Sequence, residues 1–236
     1  GMTVQEDVNG SDAVVINTCG FIESAKTEAI ETILSAAELK AAGEVKRILV
    51  TGCLSQRYRR EMAQELPEVD GIMGTADYGH IVEALEQLMA GEAVCRFSPI
   101  DSPVEELPRV LSTPRHYAYL RIAEGCSNRC AYCVIPQLRG PYRSRAMEDI
   151  LTEARALAAD GVRECIVIAQ DITRYGADLY GEKKLPELLR ELCKLDFHWI
   201  RLHYLYPDTI TDALIDTIAS EPKICKYIDM PIQHCN

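Results

Sequence analysis

At 236 residues, 47% hydrophobic and 26% charged, the chain has a globular composition with room for one large domain or two ordinary ones. A net charge of −11 argues against broad, non-specific nucleic-acid binding, which needs basic surface to displace counterions, and it suits a basic protein partner. The apolar runs are too short for a membrane-spanning helix and the first residues lack a signal-peptide pattern, so ten cysteines point to reduced thiols or metal ligands rather than a disulfide framework.

The first half reads as alternating strands and helices. Residues 12–17 form a short apolar run ending in Thr18-Cys19-Gly20, the pattern of a buried parallel strand. Residues 23–42 follow as an amphipathic helix, with Ala29, Ile30, Ile33, Leu34 and Ala37 on one face and Gly43 as the stop. Residues 46–51 make the next strand and end in Gly52-Cys53. A helix over 58–66, a short strand over 71–74 and a helix over 80–89 complete this half. Such alternation implies a parallel sheet covered by helices, a flavodoxin-like or Rossmann-like layer. Pro99, Pro103, Pro108 and Pro114, with Asp101, Ser102 and Ser112, mark a linker. The expected division is a first domain over 1–94, a linker over 95–115 and a second domain over 116–236.

The second half repeats the alternation. A strand over 117–123 leads into a cysteine loop, and a helix over 147–159 is stopped by Asp160-Gly161. Strand 164–169, helix 185–195, strand 199–204, helix 211–219 and strand 227–232 follow, with Thr209 or Thr211 as the N-cap of the last helix. These are four βα-type units, the start of a barrel whose site lies at the C-terminal strand ends. The cysteine loop, Gln170-Asp171, Tyr206-Pro207-Asp208 and Gln233-His234 all fall there.

Cys126, Cys130 and Cys133 are spaced C-x3-C-x2-C. Thiolates are soft ligands that favour iron–sulfur clusters, zinc or Cu(I). A structural zinc site wants four ligands and usually shows paired C-x2-C knuckles. Three thiols in one loop instead suit a cubane cluster with one iron open to a substrate or cofactor. The rival is a non-catalytic, zinc-stabilised α/β module, which requires His116 or Cys165 as fourth ligand. Cys19 and Cys53 each follow a strand, one helix apart, so their thiols should converge; two thiols cannot hold a cubane alone, and buried free cysteine is common. Cys95, Cys165, Cys193, Cys225 and Cys235 lack ligand spacing, and the five histidines form no ligand pair. Arg139, Arg143 and Arg145 place three cations within seven residues, suited to anionic groups or to a solvated loop. Tyr132 is a site aromatic or a core one. Gln170 and Asp171 end a barrel strand, which favours a site role.

The cysteine spacing is similar to the signature of radical S-adenosylmethionine (SAM) enzymes. With Thr18-Cys19-Gly20-Phe21-Ile22, with Thr51-Gly52-Cys53-Leu54-Ser55-Gln56-Arg57 and with the R-G-x3-S-R run ending at Arg145, the chain resembles the radical SAM methylthiotransferases over essentially its whole length. The segments 169–181, 204–208 and 227–234 look like the branch that modifies an aspartate of small-subunit ribosomal protein S-12. The branch that modifies a tRNA adenosine typically has asparagine in place of Asp171, and it is the alternative.

The resemblance implies a flavodoxin-like N-terminal methylthiotransferase domain, its first strand missing, followed by a partial radical SAM (β/α) barrel. It implies two 4Fe-4S clusters. One, on Cys126, Cys130 and Cys133, binds and reductively cleaves SAM; the second, on Cys19, Cys53 and a third cysteine, handles sulfur. Tyr132 is expected near the adenine of SAM, Gln170 and Asp171 near its amino group, and Arg145 near anionic groups of the site. Implied partners are S-12 and an electron donor, without membrane or direct DNA binding, in the cytoplasm. The family pattern starts one strand earlier and continues past residue 236. The chain is therefore expected to be a piece that holds one cluster and is inactive by itself.

Overall fold

The structure, a computed structural model, describes residues 2–5 and 7–231. Gln233, His234, Cys235 and the last residue of the strand expected over 227–232 lie outside the described residues. Two compact units emerge: Gly1–Ser102 with Cys130–Arg139, and Pro103–Arg129 with Gly140–Asn236.

In the first unit, β1 (Ala13–Thr18), β2 (Arg47–Gly52), β3 (Gly71–Met73) and β4 (Val94–Arg96) form a parallel sheet in that order. β2 is covered on both faces. Ile48 and Val50 pack with Ala29, Ile33 and Ala36 of α1 (Glu23–Ala41), whereas Leu49 joins Met73 and Leu88 on the opposite side. The period of two along a strand sends alternate side chains to opposite layers, and a strand covered twice reads as a continuous apolar run. Leu34, grouped with the buried face of α1 in the sequence, is 45% exposed, because it lies one residue round the helix from Ile33.

The helix expected over 58–66 is α3 (Arg59–Glu65); a short helix absent from the sequence reading, α2 (Cys53–Arg57), precedes it, and the two are separated at Tyr58, whose φ of −117° and ψ of 36° are not helical. α4 (Ile81–Met89) follows a 3-10 turn, Tyr78–His80. Val94–Arg96 corrects the expected linker start at residue 95. These three residues pair with β3, Ile72 opposite Cys95, and are too few to show periodicity in the sequence. The segment Cys130–Arg139 groups with this unit and holds α5 (Ile135–Arg139); Thr75 Oγ1 donates to Leu138 O at 2.7 Å.

In the second unit, β5 (Tyr117–Arg121) is followed by the two-residue β6 (Ala123–Glu124). β6 pairs antiparallel with β7 (Arg143–Ser144), so the strand expected over 117–123 divides between two sheets. β8 (Glu164–Ile168) and β9 (Trp199–Leu202) extend β5 into a parallel sheet in the order β5-β8-β9. The helices α6 (Met147–Ala159), α7 (Leu185–Cys193) and α8 (Asp212–Ser220) alternate with these strands. α7 buries Leu185, Leu188, Leu189 and Leu192, the i, i+3, i+4, i+7 stripe of a helix seated on a core. Thr211, not Thr209, caps α8, its Oγ1 accepting Leu214 N at 3.3 Å.

The strand expected over 227–232 is not formed by its described residues. A parallel bridge joins Ile224 to Ile200, and Asp229 instead holds the end of β9, its carbonyl accepting Leu205 N at 3.0 Å and its Oδ2 accepting Tyr204 N at 2.9 Å. Repeated strand–helix units with parallel, sequential strands are the opening of a (β/α) barrel.

Candidate metal centre

The cysteine loop is closed at its base by β6 and β7. Cys126 N donates to Gly140 O at 3.1 Å, and Tyr142 N donates to Ser127 Oγ at 3.1 Å. Gly125 makes this closure possible: its φ is +78°, and a β-carbon there would sit 2.1 Å from Pro141 O. Burial, followed by the Asp171 and Asp178 carboxylates, pushes the Tyr142 phenol well above its usual range, so it stays protonated. Farther along, Cys133 N donates to Cys130 O at 3.0 Å, turning the chain back on itself between these two thiols. Cys126, Cys130 and Cys133 are all half-buried, and no disulfide joins the cysteines among the described residues.

Gln170 and Asp171 follow β8, as the strand-end reading expects. Gln170 Oε1 is buried and has no hydrogen-bond partner among the described residues. Asp171 is the opposite case. At 1% exposed, its Oδ1 accepts Thr173 N at 3.0 Å and the Thr173 hydroxyl, and its Oδ2 accepts Asn128 Nδ2 at 3.1 Å. Arg174 Nε adds an ion pair to Oδ2 at 3.2 Å. The sequence reading passed over Asn128, Thr173 and Arg174. The Asp-x-Thr spacing, typical of an aspartate that caps the amide two residues on, was the one local signal for part of this cluster.

Tyr132 is 70% exposed. Arg145 is 5% exposed and committed. Its Nε donates to Glu106 Oε1 at 2.7 Å, its Nη1 lies 2.7 Å from Glu153 Oε2, and a further bond reaches Arg121 O. It closes one side of a 410 Å³ cavity formed by the 106–111 segment and α6. Cys19 is exposed and Cys53 buried; each immediately follows one member of the Thr18–Gly52 pair at the C-terminal ends of β1 and β2. Cys130, Tyr132 and Cys133 thus belong to the same unit as Cys19 and Cys53, while Cys126, Arg145, Gln170 and Asp171 belong to the other.

Among the described residues no three His, Cys, Asp or Glu side chains are gathered as a ready metal site. The donor set nevertheless fits a cluster. Three accessible thiols on a loop are soft ligands, and Gln170 Oε1 is an acceptor that a ligand ammonium would satisfy. Of the two candidate fourth ligands for zinc, Cys165 lies on β8, fully buried among the apolar side chains of the core and not on the cysteine loop.

Residues 1–74 match the Uncharacterized protein family UPF0004, and residues 120–236 match the Radical SAM superfamily. The chain is 53% identical over 232 residues to the ribosomal protein uS12 methylthiotransferase RimO of Clostridioides difficile, covering 98% of this chain and 52% of that protein. The RimO proteins of Thermoanaerobacter sp. and Geobacter sulfurreducens are 50% and 52% identical, over 99% and 98% of this chain and 54% and 52% of their own lengths. The chain belongs to the radical SAM methylthiotransferase family.

It spans about half the length of these curated relatives. Among solved structures, the radical SAM methyltransferase TsrM of Kitasatospora setae, with its tryptophan substrate and a SAM analogue, superimposes with a TM-score of 0.62 at 16% identity, covering 91% of this chain and 47% of TsrM. A second TsrM structure, with cobalamin and a [4Fe-4S] cluster bound, gives 0.61 at 13% identity, covering 91% of this chain and 48% of TsrM. At such identity the likeness is one of fold, and the fold agrees with the α/β reading of both halves. Membership of the family carries SAM and 4Fe-4S clusters as its cofactors.

Proposed function

We propose that this chain is the radical-generating part of a methylthiotransferase that modifies an aspartate of ribosomal protein uS12. The observation that carries this reading is identity near 50%, across 98–99% of the chain, to proteins named for that activity. In this reading Cys126, Cys130 and Cys133 hold one cluster and leave an iron for SAM. Cys19 and Cys53 contribute to a second. The cluster and SAM together supply one-electron reductive cleavage and, through it, hydrogen abstraction.

The chain's own residues bind and orient. Gln170 accepts from the ammonium of SAM, Tyr132 offers its ring to the adenine, and the protonated Tyr142 phenol adds no charge beneath the loop. Arg145, already held by two carboxylates, braces the approach to the site from β7. An external one-electron donor is required, and the net charge of −11 favours a basic substrate protein. No helix among the described residues is long and apolar enough to cross a membrane.

The test is to give purified uS12 and tRNA to the protein that contains this chain, with SAM, sulfide and a reductant under anaerobic conditions. Mass spectrometry should find a methylthio group on a uS12 aspartate. The same mass on a tRNA adenosine would move the protein to the other branch, and colourless zinc-loaded protein without iron would overturn the radical reading altogether.

A further inference from the structure

Asn128 stands between Cys126 and Cys130 and belongs to no expected ligand set, yet its amide is tied on both sides. Nδ2 donates to Asp171 Oδ2 at 3.1 Å, and Oδ1 accepts from Arg174 Nε at 2.8 Å. Turning the amide over would set donor against donor and acceptor against acceptor, so one orientation alone is satisfied. Asp171 is equally constrained. Its two oxygens receive Thr173 N, the Thr173 hydroxyl, Asn128 Nδ2 and Arg174 Nε, and the Thr173 hydroxyl in turn meets that of Thr209 beyond β9.

A carboxylate 1% exposed is stable only while paired, so swinging it toward a ligand would leave buried donors without acceptors. Directly after the tie, Arg129 takes a φ of +51°, a left-handed conformation that a residue with a β-carbon keeps only when its surroundings impose it. Part-buried hydrogen bonds on one side of a strained residue and a cysteine on the other describe a braced connection.

We propose that Asp171 and Arg174 are positioning residues that act through Asn128 to set the course of the chain from Cys126 to Cys130, and that Asp171 does not itself contact SAM. The proposal rests on the reading of Cys126, Cys130 and Cys133 as cluster ligands. The geometry supplies a test that exchanges the two partners. Asn128→Asp alone sets two carboxylates face to face, and Asp171→Asn alone sets two amides face to face. The double variant Asn128→Asp/Asp171→Asn restores one acid and one amide with charge conserved; it keeps the Arg174 Nε bond to position 128 at 2.8 Å and gives up only the longer contact, 3.2 Å, to position 171.

The 236-residue chain and its variants are reconstituted anaerobically, and the loss of iron to a chelator is timed. Each single variant, and the milder Asn128→Ala, should lose iron about tenfold faster, equivalent to about 1.4 kcal/mol. The double variant should return to within about twofold of the unsubstituted chain, a coupling that two independent sites would not show. Hydrogen exchange at the amides of residues 126–130 in the metal-free protein gives a second readout, with faster exchange in the single variants and recovery in the double. Unchanged exchange in Asn128→Ala, or a double variant no better than either single one, would overturn the proposal. Cys126→Ala separates the two readings: iron retained there would refute the ligand assignment, while exchange in the metal-free chain would still decide the brace.

Discussion

Thr18 and Gly52 face each other as the last register pair of β1 and β2, with a β-carbon on Gly52 placed only 2.3 Å from Thr18 O. The two cysteines that follow, Cys19 and Cys53, are therefore held at neighbouring strand ends. Gly52 also has a φ of +102°. Gly52→Ala should cost about 3 kcal/mol, combining backbone strain with a clash against a central strand. A urea titration followed by circular dichroism checks it; an unfolding midpoint close to that of the unsubstituted chain would show that β1 can shift freely.

Iron content should divide the cysteines into two classes. With three thiols on the loop and two at the ends of β1 and β2, the reconstituted chain should bind about four irons, the content of one cubane. Cys126→Ala, Cys130→Ala and Cys133→Ala should each bring this close to zero, whereas Cys53→Ala should leave most of it. Iron and sulfide assays with electron paramagnetic resonance give the answer. About eight irons per chain would mean that further cysteines complete the second site.

Alkaline pH should destabilise the second unit through Cys165. Burial raises this thiol from 9.0 to about 12, so the folded state keeps its proton in a range where the unfolded chain releases it. Its contribution is complete below pH 9 and is lost as pH rises from 9 toward 12, at about 1.4 kcal/mol per unit. Cys165→Ala should flatten the dependence of stability on pH between 9 and 10, whatever its effect at pH 8. Denaturant unfolding at pH 8, 9 and 10 measures the slope, and an unchanged slope would place the titration elsewhere.

Arg145 should matter more to stability than Glu106. Arg145→Ala removes a buried cation from two carboxylates and should cost about 3 kcal/mol. Glu106, at 39% side-chain exposure, is partly solvated, so Glu106→Ala should cost about 1 kcal/mol or less. Thermal melts of both variants test the order, and a larger loss for Glu106→Ala would show that the 103–112 segment contributes more than this ion pair.

Signals carried by neighbouring residues were legible without the fold. The apolar runs of β1, β2 and β8, the stripes of α6 and α7, and the C-x3-C-x2-C spacing all follow from local periodicity, and together they were enough to place the chain in its family. Val94–Arg96 was hidden because three residues carry no period, and α2 (Cys53–Arg57) because so short a helix carries little amphipathic pattern. The tertiary structure alone decided which side chains are spent on protein contacts. Asp171 meets Asn128 across 43 residues of sequence, and Arg145 meets Glu106 across 39. A buried charge is fixed by whichever partners the fold brings within about 3 Å, and that choice is made by the packing of strands and loops distant in the chain.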